Sequence, residues 1–350
     1  MSLNSTLLVG VLWAVISGLM NGTFTLPMRF LGLWAWENVW ALFILVSCIL
    51  MPATVAFLTV PDLPRVLAEA STRAVLVAMA TGFVWGFGAI MFGQGVSAIG
   101  IAIGNTLVLA ISASLGSLLP ILILAPERLL QSQGHAIVLG TSVGLVGIAL
   151  CGYAGLLRER RQKQDQASIR GQMVGKARPF FVGLLLCAGA GLLSAVFNIG
   201  YSAAQPIVQS ATHAGYGPFA GSNVIWVLML GSGAVANLGF CGYLFRKNST
   251  WSMYRHTGSS MLFGLSILMG LLWGGSIFVY GAAAPRLGRL GPAIGWPVSL
   301  IVGLITANLC GLLAGEWKAS GKAARLWMAA GILVLVAAIC ALGWSGTLAS

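Results

Sequence analysis

Amide side chains are scattered through the long apolar stretches of this 350-residue chain. An amide carries two donors and an acceptor on one small group, and within a membrane such a group is costly unless it is paired or lines water. Several amides around one space would suit a neutral, hydroxyl-rich ligand, although the same residues could instead join helices by hydrogen bonds. The amides in or beside the stretches are Asn21, Gln94, Asn105, Asn198, Asn223, Asn237 and Asn308.

Aromatic residues recur at matching places in two similar segments. Trp85 stands in GFVWGFG and Trp273 in GLLWGG, and Phe92 and Tyr280 follow seven residues later. An aromatic face beside amide groups would suit a sugar, whose ring has apolar faces and polar edges. The other interpretation is that the tryptophans are large packing units. The predicted binding residues are Asn21, Trp85, Gln94, Asn105, Asn198, Asn223, Trp273, Tyr280 and Trp296.

One carboxylate is placed where it could carry a proton. Of the seven acids, only Glu37 and Glu316 lie against an apolar stretch, and Glu37 stands in the aromatic cluster WAWENVW. A carboxylate among aromatic side chains is poorly hydrated, which suits a proton carrier. Alternatively, Glu37 and its tryptophan neighbours form an anchor at the membrane interface.

The sequence carries no sign of catalysis or of a bound cofactor. The three histidines are not paired with a second histidine or a carboxylate at metal-ligand spacing. The six cysteines show no CxxC spacing and are interpreted as packing residues. A glycine-rich P-loop with its lysine is absent from the sequence. We therefore predict that the protein is not an enzyme and needs no cofactor or metal.

Composition indicates the elements that position these residues. Hydrophobic residues make up 58% of the chain and charged residues 7%, against roughly 25% charged in soluble domains. Stretches long enough to cross a bilayer predict an all-α polytopic membrane protein with ten transmembrane helices. They run at about 6–27, 37–60, 74–97, 99–124, 136–156, 180–203, 217–245, 258–284, 292–315 and 326–346.

The ten stretches form a sequence repeat, in which the five of the second half are similar to the five of the first. VGVLWAVISGLMNGTF from Val9 is similar to VGLLLCAGAGLLSAVF from Val182. Five is an odd number, so the second copy must enter the bilayer from the opposite side. Inverted repeats are typical of secondary transporters, which bind their substrate near the midplane between the halves. The predicted units are a first repeat over 1–156, a basic linker over 157–178 and a second repeat over 179–350.

The net charge of +12 resides in loops, so it is interpreted as an orientation signal and not as a nucleic-acid surface. Most basic residues fall on the side of the central loop. The positive-inside rule therefore places the central loop in the cytoplasm and both termini in the periplasm. The expected partners are a small solute and the lipid bilayer, and the sequence leaves open whether the protein is a monomer or a homodimer.

An ordered set of segments resembles one known family. It includes FVWGFGAIMFGQGVSAIGIAIGNTLVLAISASLGSLLPI, LVGIALCGYAGLLRERR and GEWKASGK, and it runs from about residue 8 to the C-terminus. These segments resemble the bacterial L-rhamnose/proton symporters of the drug/metabolite transporter superfamily. The resemblance implies two inverted five-helix repeats in the inner membrane and uptake of a sugar with a proton. Glu37 stands in a Trp-x-Trp-Glu-x-x-Trp pattern that matches the family.

Two alternatives remain at this level. An exporter of drugs or metabolites from the same superfamily would share the fold but have an apolar pocket. A membrane subunit without transport activity would have a sealed, dry interface between its repeats, whereas a transporter would have a polar cavity at the midplane.

Overall fold

The computed structural model describes residues 3–24, 26–30, 34–99, 101–167, 180–255, 259–313, 315, 317–318 and 320–348. Within these ranges it contains ten helices that are long and apolar enough to cross a membrane, which confirms the predicted all-helical membrane fold. In chain order they are α1 (Leu3–Thr23), α2 (Trp36–Thr59), α3 (Thr72–Ile99), α4 (Ile101–Leu124), α5 (Ser132–Ala167), α6 (Phe180–Ala203), α7 (Pro218–Asn248), α8 (Ser259–Ala283), α9 (Gly291–Leu313) and α10 (Gly321–Ser345).

Shorter elements join the long helices. Among the described residues, the short α-helices are Leu63–Glu69 and Gln205–His213, and the 3-10 turns are Leu26–Phe30, Pro126–Leu130, Thr250–Arg255, Ala284–Leu287 and Gly346–Leu348. Within α2, residues Leu45–Leu50 form a π-helical segment between two α-helical parts. α5 continues to Ala167, so the first part of the predicted linker is helical. The rest of the linker and Glu316 lie outside the described residues.

The helix contacts of one half correspond to those of the other half: each helix packs against the counterparts of the helices that its own counterpart contacts. α1 packs against α8 and α9, and α6, its counterpart in the second half, packs against α3 and α4. α2 packs against α7 and α8, whereas its counterpart α7 packs against α2 and α3. The last helices of the halves, α5 and α10, pack against each other. This is the pattern that a twofold relation between the halves requires, and the opposite orientation of the halves in the membrane stays a prediction.

Glycines at repeat-related positions allow these helices to approach closely. A Cβ at Gly18 of α1 would meet Val302 and the Ser299 carbonyl of α9. A Cβ at Gly191, its counterpart in α6, would meet Ile111 of α4. Small residues at helix contacts are how membrane helices associate when no hydrophobic effect holds them together. The repeated glycines therefore mark matching helix contacts in the two halves.

Substitution of one of these glycines is expected to destabilise the bundle. A Cβ at Gly82 of α3 would overlap the Met229 carbonyl of α7, and overpacking of this kind costs about 1–3 kcal/mol. We expect Gly82→Ala to lower the thermal unfolding midpoint of the protein purified in detergent. Gly239→Ala is the matched control, because open space surrounds this second helical glycine. Equal midpoints for the two variants would contradict the close contact.

Candidate functional site

A cavity lies among seven of the ten helices, between the two halves of the bundle. Its volume is about 170 Å³, which is below the roughly 300–1,000 Å³ of pockets that hold drug-sized ligands. Trp85 and Trp273 line it from near the middle of α3 and α8. The cavity is therefore suited to one small solute at mid-membrane depth.

Aromatic rings form the walls of this cavity. Trp85 and Trp273 stack on each other, with ring centroids 5.3 Å apart and ring planes 10° from parallel. Phe43 packs against Trp273 at 5.6 Å, and Phe197 packs against Trp85 at 4.9 Å. Rings at these distances gain from both stacking and edge contacts. The two repeat-related tryptophans thus pack face to face and join the two halves at the wall of the cavity.

Hydroxyl groups supply most of the polar lining. Ser17 of α1 donates to the Ser276 carbonyl at 2.8 Å, and its Oγ lies 2.7 Å from the Ser299 Oγ. The Ser194 hydroxyl lines the cavity from α6 and accepts a hydrogen bond from Ser112 at 2.9 Å. Asn21 is half-buried in the lining and makes no hydrogen bond to any residue that the structure describes. Its amide can therefore both donate to and accept from a solute.

The structure brings together about half of the predicted binding residues. The lining contains Asn21, Trp85, Trp273, Tyr280 and Trp296. Asn198 lies directly behind Tyr280 and accepts a hydrogen bond from the Tyr280 hydroxyl. The Asn198 amide donates to the carbonyls of Gly116 at 2.8 Å and Pro292 at 3.2 Å. Asn198 is fully buried, so it orients the wall of the cavity without lining it.

The other predicted amides lie away from the cavity. Gln94 follows the lining part of α3 and is not in the lining. Asn105 lines a separate small pocket between α4, α5 and α9. Asn223 is fully buried and donates to the Thr59 hydroxyl at 3.1 Å. Within the described residues, Asn21 is the one amide side chain in the lining.

The two ends of the cavity differ in packing. Tyr201 and Trp226 stack with ring centroids 4.4 Å apart, and with Tyr280 they are almost completely buried beside the start of α9. At the other end, Phe24 and Phe92 are only half-buried. The cavity is thus closed at the end where α9 begins and more accessible at the end where α1 terminates.

Glu37 lies at the accessible end but outside the lining of the cavity. Its side chain is 3% exposed, and its Oε1 accepts hydrogen bonds from Asn248 at 2.9 Å and Thr250 at 2.7 Å. Trp40, one helical turn further along α2, lines the cavity and donates to the Asn237 side chain at 2.9 Å. Glu37 therefore connects the loop after α7 with the helix that forms one cavity wall.

A second set of bonds fixes the residue after Glu37. Asn38 donates to the Thr250 carbonyl at 3.1 Å, and the Tyr254 hydroxyl donates to the Asn38 carbonyl at 2.8 Å. Burial raises the pKa of Tyr254 to about 12, so this hydroxyl remains a donor at physiological pH. Among the described residues, no three His, Cys, Asp or Glu side chains cluster as metal ligands would.

Known proteins are similar to this chain over nearly its whole length. The family model of the L-rhamnose-proton symport protein (RhaT) matches residues 3–346. The chain belongs to this family. The resemblance to the L-rhamnose/proton symporters is confirmed, and the family is one of transporters.

Individual relatives are similar over the same extent. An L-rhamnose-proton symporter of Yersinia pestis (strain Pestoides F) is 27% identical over 345 residues, which cover 96% of this chain and 97% of the relative. One from Salmonella typhi is 27% identical over 346 residues, with the same shares covered. A solved structure described only as "Crystal structure of protein" has a TM-score of 0.55 at 18% identity and covers 93% of this chain and 95% of its own. That likeness concerns the fold alone.

The lining serines were not predicted from the sequence. A signal for one of them exists in the repeat: Ser194 occupies the position in α6 that Asn21 occupies in α1, whereas Ser276 occupies the position of Gly88. Residues at paired positions of two repeats face the same central space. A search for polar residues at paired positions would have found Ser194, whose counterpart is Asn21, but not Ser276, whose counterpart is Gly88.

Proposed function

We propose that the protein imports a neutral, polyhydroxylated sugar of the rhamnose type together with a proton. The observation that carries this proposal is that the stacked pair Trp85–Trp273 and the available Asn21 amide line the same cavity. Such a site offers an apolar face for a sugar ring and hydrogen bonds for its hydroxyl groups. The names of the relatives, L-rhamnose-proton symporters, support the same substrate class and coupling ion.

The proposed mechanism is alternating access in the inner membrane. The repeat over 1–156 and the repeat over 179–350 would rock against each other around the cavity. The central loop would lie in the cytoplasm and both termini in the periplasm, as the loop charges indicate. With this orientation the closed end of the cavity faces the periplasm. A monomer contains the whole cavity, and a homodimer is equally compatible with it.

Glu37 is proposed as the proton carrier. It is a buried carboxylate within the membrane-spanning helix α2, and it lies one turn from the cavity residue Trp40. Ionisable groups inside a membrane are rare and commonly belong to proton pathways. Protonation of Glu37 would weaken its bonds with Asn248 and Thr250 and so loosen α2 from the loop after α7.

The predominance of aromatic residues favours one second candidate. Most of the lining is apolar, and Asn21 is the one amide side chain in it among the described residues. An exporter of small amphipathic metabolites would use the same walls without a need for many hydroxyl-binding groups. The presence of a cavity with serine hydroxyls and an amide at mid-membrane depth supports either kind of transporter over a sealed structural subunit.

Uptake of labelled L-rhamnose and related sugars tests the proposal. The measurement uses cells that lack their own transporter, with and without a protonophore. We expect saturable uptake of one sugar that collapses with the protonophore. Absence of uptake for every sugar, in cells where the protein is correctly inserted, would reject sugar import and favour the exporter.

A further inference from the structure

A second cavity lies beyond the closed end of the central one. Its volume is about 290 Å³, and it is enclosed by the ends of α4 and α6, the turn Pro126–Leu130 and the start of α9. We call it the outer vestibule and define it by its polar side chains, which are Glu127, Arg128, Ser202, Gln205 and Arg289.

The vestibule offers donors and acceptors together. Arg128 and Arg289 present guanidinium forks, which donate in pairs and accept nothing. Glu127 provides a carboxylate acceptor, and Gln205 donates to the Tyr201 carbonyl at 3.2 Å, which leaves its side-chain oxygen available as an acceptor. Neighbouring hydroxyls of a sugar need this mixture, whereas an apolar solute would leave these groups without partners.

A single layer of bonded residues separates the vestibule from the central cavity. Pro292 lines the vestibule, and its carbonyl accepts the hydrogen bond from Asn198. Asn198 also accepts from Tyr280, which lines the central cavity. Trp296, one helical turn beyond Pro292 in α9, lines the central cavity as well. The two cavities therefore lie on opposite sides of one wall.

We propose that the outer vestibule is a separate binding site for the same class of solute, a neutral polyhydroxylated sugar, and that the solute occupies it before the wall opens. This inference rests on the proposed function. Because its polar groups come from elements of both halves, a solute bound there contacts both parts that rock during transport. Capture at the vestibule is thus the first step of uptake.

Protection of an introduced cysteine tests the site. Ser202→Cys places a thiol in the vestibule, and Ser71→Cys places one at an exposed position at the same end but outside it. The purified variants are treated in detergent with a maleimide, with and without L-rhamnose, and labelling is read at each position by peptide mass spectrometry. We expect the sugar to slow labelling several-fold in Ser202→Cys and not at all in Ser71→Cys. Should Ser202→Cys fail to fold, Gln205→Cys replaces it.

Two further variants separate the vestibule from the central cavity. Trp85→Ala, combined with Ser202→Cys, should retain protection although it damages the central site. Combined with Ser202→Cys, Arg289→Gln should raise at least tenfold the sugar concentration that halves the labelling rate (half-protection). Arg73→Gln is a matched change at an exposed arginine of the same end, and it should leave this concentration unchanged.

Two results would overturn the vestibule site. Loss of protection in the Trp85→Ala variant would show that the sugar acts from the central cavity alone, and unchanged half-protection in Arg289→Gln would show that the vestibule does not bind it. A protein that takes up L-rhamnose normally but shows no protection would reject the vestibule and retain the proposed function. Absence of uptake in the unmodified protein would reject the proposed function itself.

Discussion

Replacement of Trp273 by alanine is expected to lower sugar uptake at sub-saturating concentration by about thirtyfold or more. Trp273 lines the cavity, stacks on Trp85 and contacts Phe43, so its loss removes a large aromatic wall that a sugar ring would contact. Removal of a central aromatic side chain from a binding surface costs about 2 kcal/mol or more, which corresponds to the stated loss. The measurement is the initial rate of labelled L-rhamnose uptake, normalised to the amount of inserted protein.

Two variants control for a loss of folding. Trp273→Phe keeps an aromatic face and should retain much more uptake than Trp273→Ala. Trp344→Ala removes a tryptophan that is 56% exposed near the end of α10, and it should behave like the unmodified protein. Uptake by Trp273→Ala equal to that of Trp344→Ala would show that the stacked pair is only a packing feature.

Replacement of Glu37 by glutamine is expected to abolish accumulation against a gradient and leave exchange of sugar largely intact. Glutamine has the same shape, and its side-chain oxygen can still accept from Asn248 and Thr250, so the local fold is preserved. It cannot take up and release a proton. In membrane vesicles with an imposed proton gradient, internal sugar should therefore rise only to the external concentration.

Comparison of sugar accumulation with sugar exchange in Glu37→Gln distinguishes a proton carrier from an anchor. An anchor role predicts that accumulation and exchange stay normal together or fall together with the amount of folded protein. Glu69→Gln is the matched control, since Glu69 is an exposed carboxylate paired with Arg65 outside the membrane-spanning helices. Normal accumulation in Glu37→Gln would remove Glu37 from the coupling mechanism.

The sequence predicts the helices of this protein better than its site. Long apolar stretches are sufficient to predict ten helices, because the bilayer requires a span of fixed length with its backbone bonds satisfied internally. The repeat also predicts that Trp85 and Trp273 are equivalent, and in the structure these two rings stack on each other. Equivalent positions meet where the halves meet, so the repeat alone indicates where a central cavity lies.

The amides show why the rest of the site was harder to predict. Asn21 lines the cavity, whereas Asn198 lies behind a wall and Asn223 bonds to Thr59. All three are asparagines in apolar helices, and their roles differ only through the rotation of each helix about its axis. That rotation depends on packing by glycines such as Gly18 and Gly191. Their positions in the sequence do not indicate which face of the helix is turned toward the cavity. Serines were missed because an isolated hydroxyl in a helix usually bonds to its own backbone.

The three hydrogen bonds of Asn198 bear on how the carrier behaves when no solute is present. They join α4, α6, α8 and α9 at one point, so a rocking motion that opens this end must break them together. At about 1 kcal/mol net for each bond, these three bonds contribute a factor of roughly 150 in favour of the shut state of the unloaded protein. An empty carrier would then rarely expose its central cavity at this end, because the wall stays shut until a solute is bound.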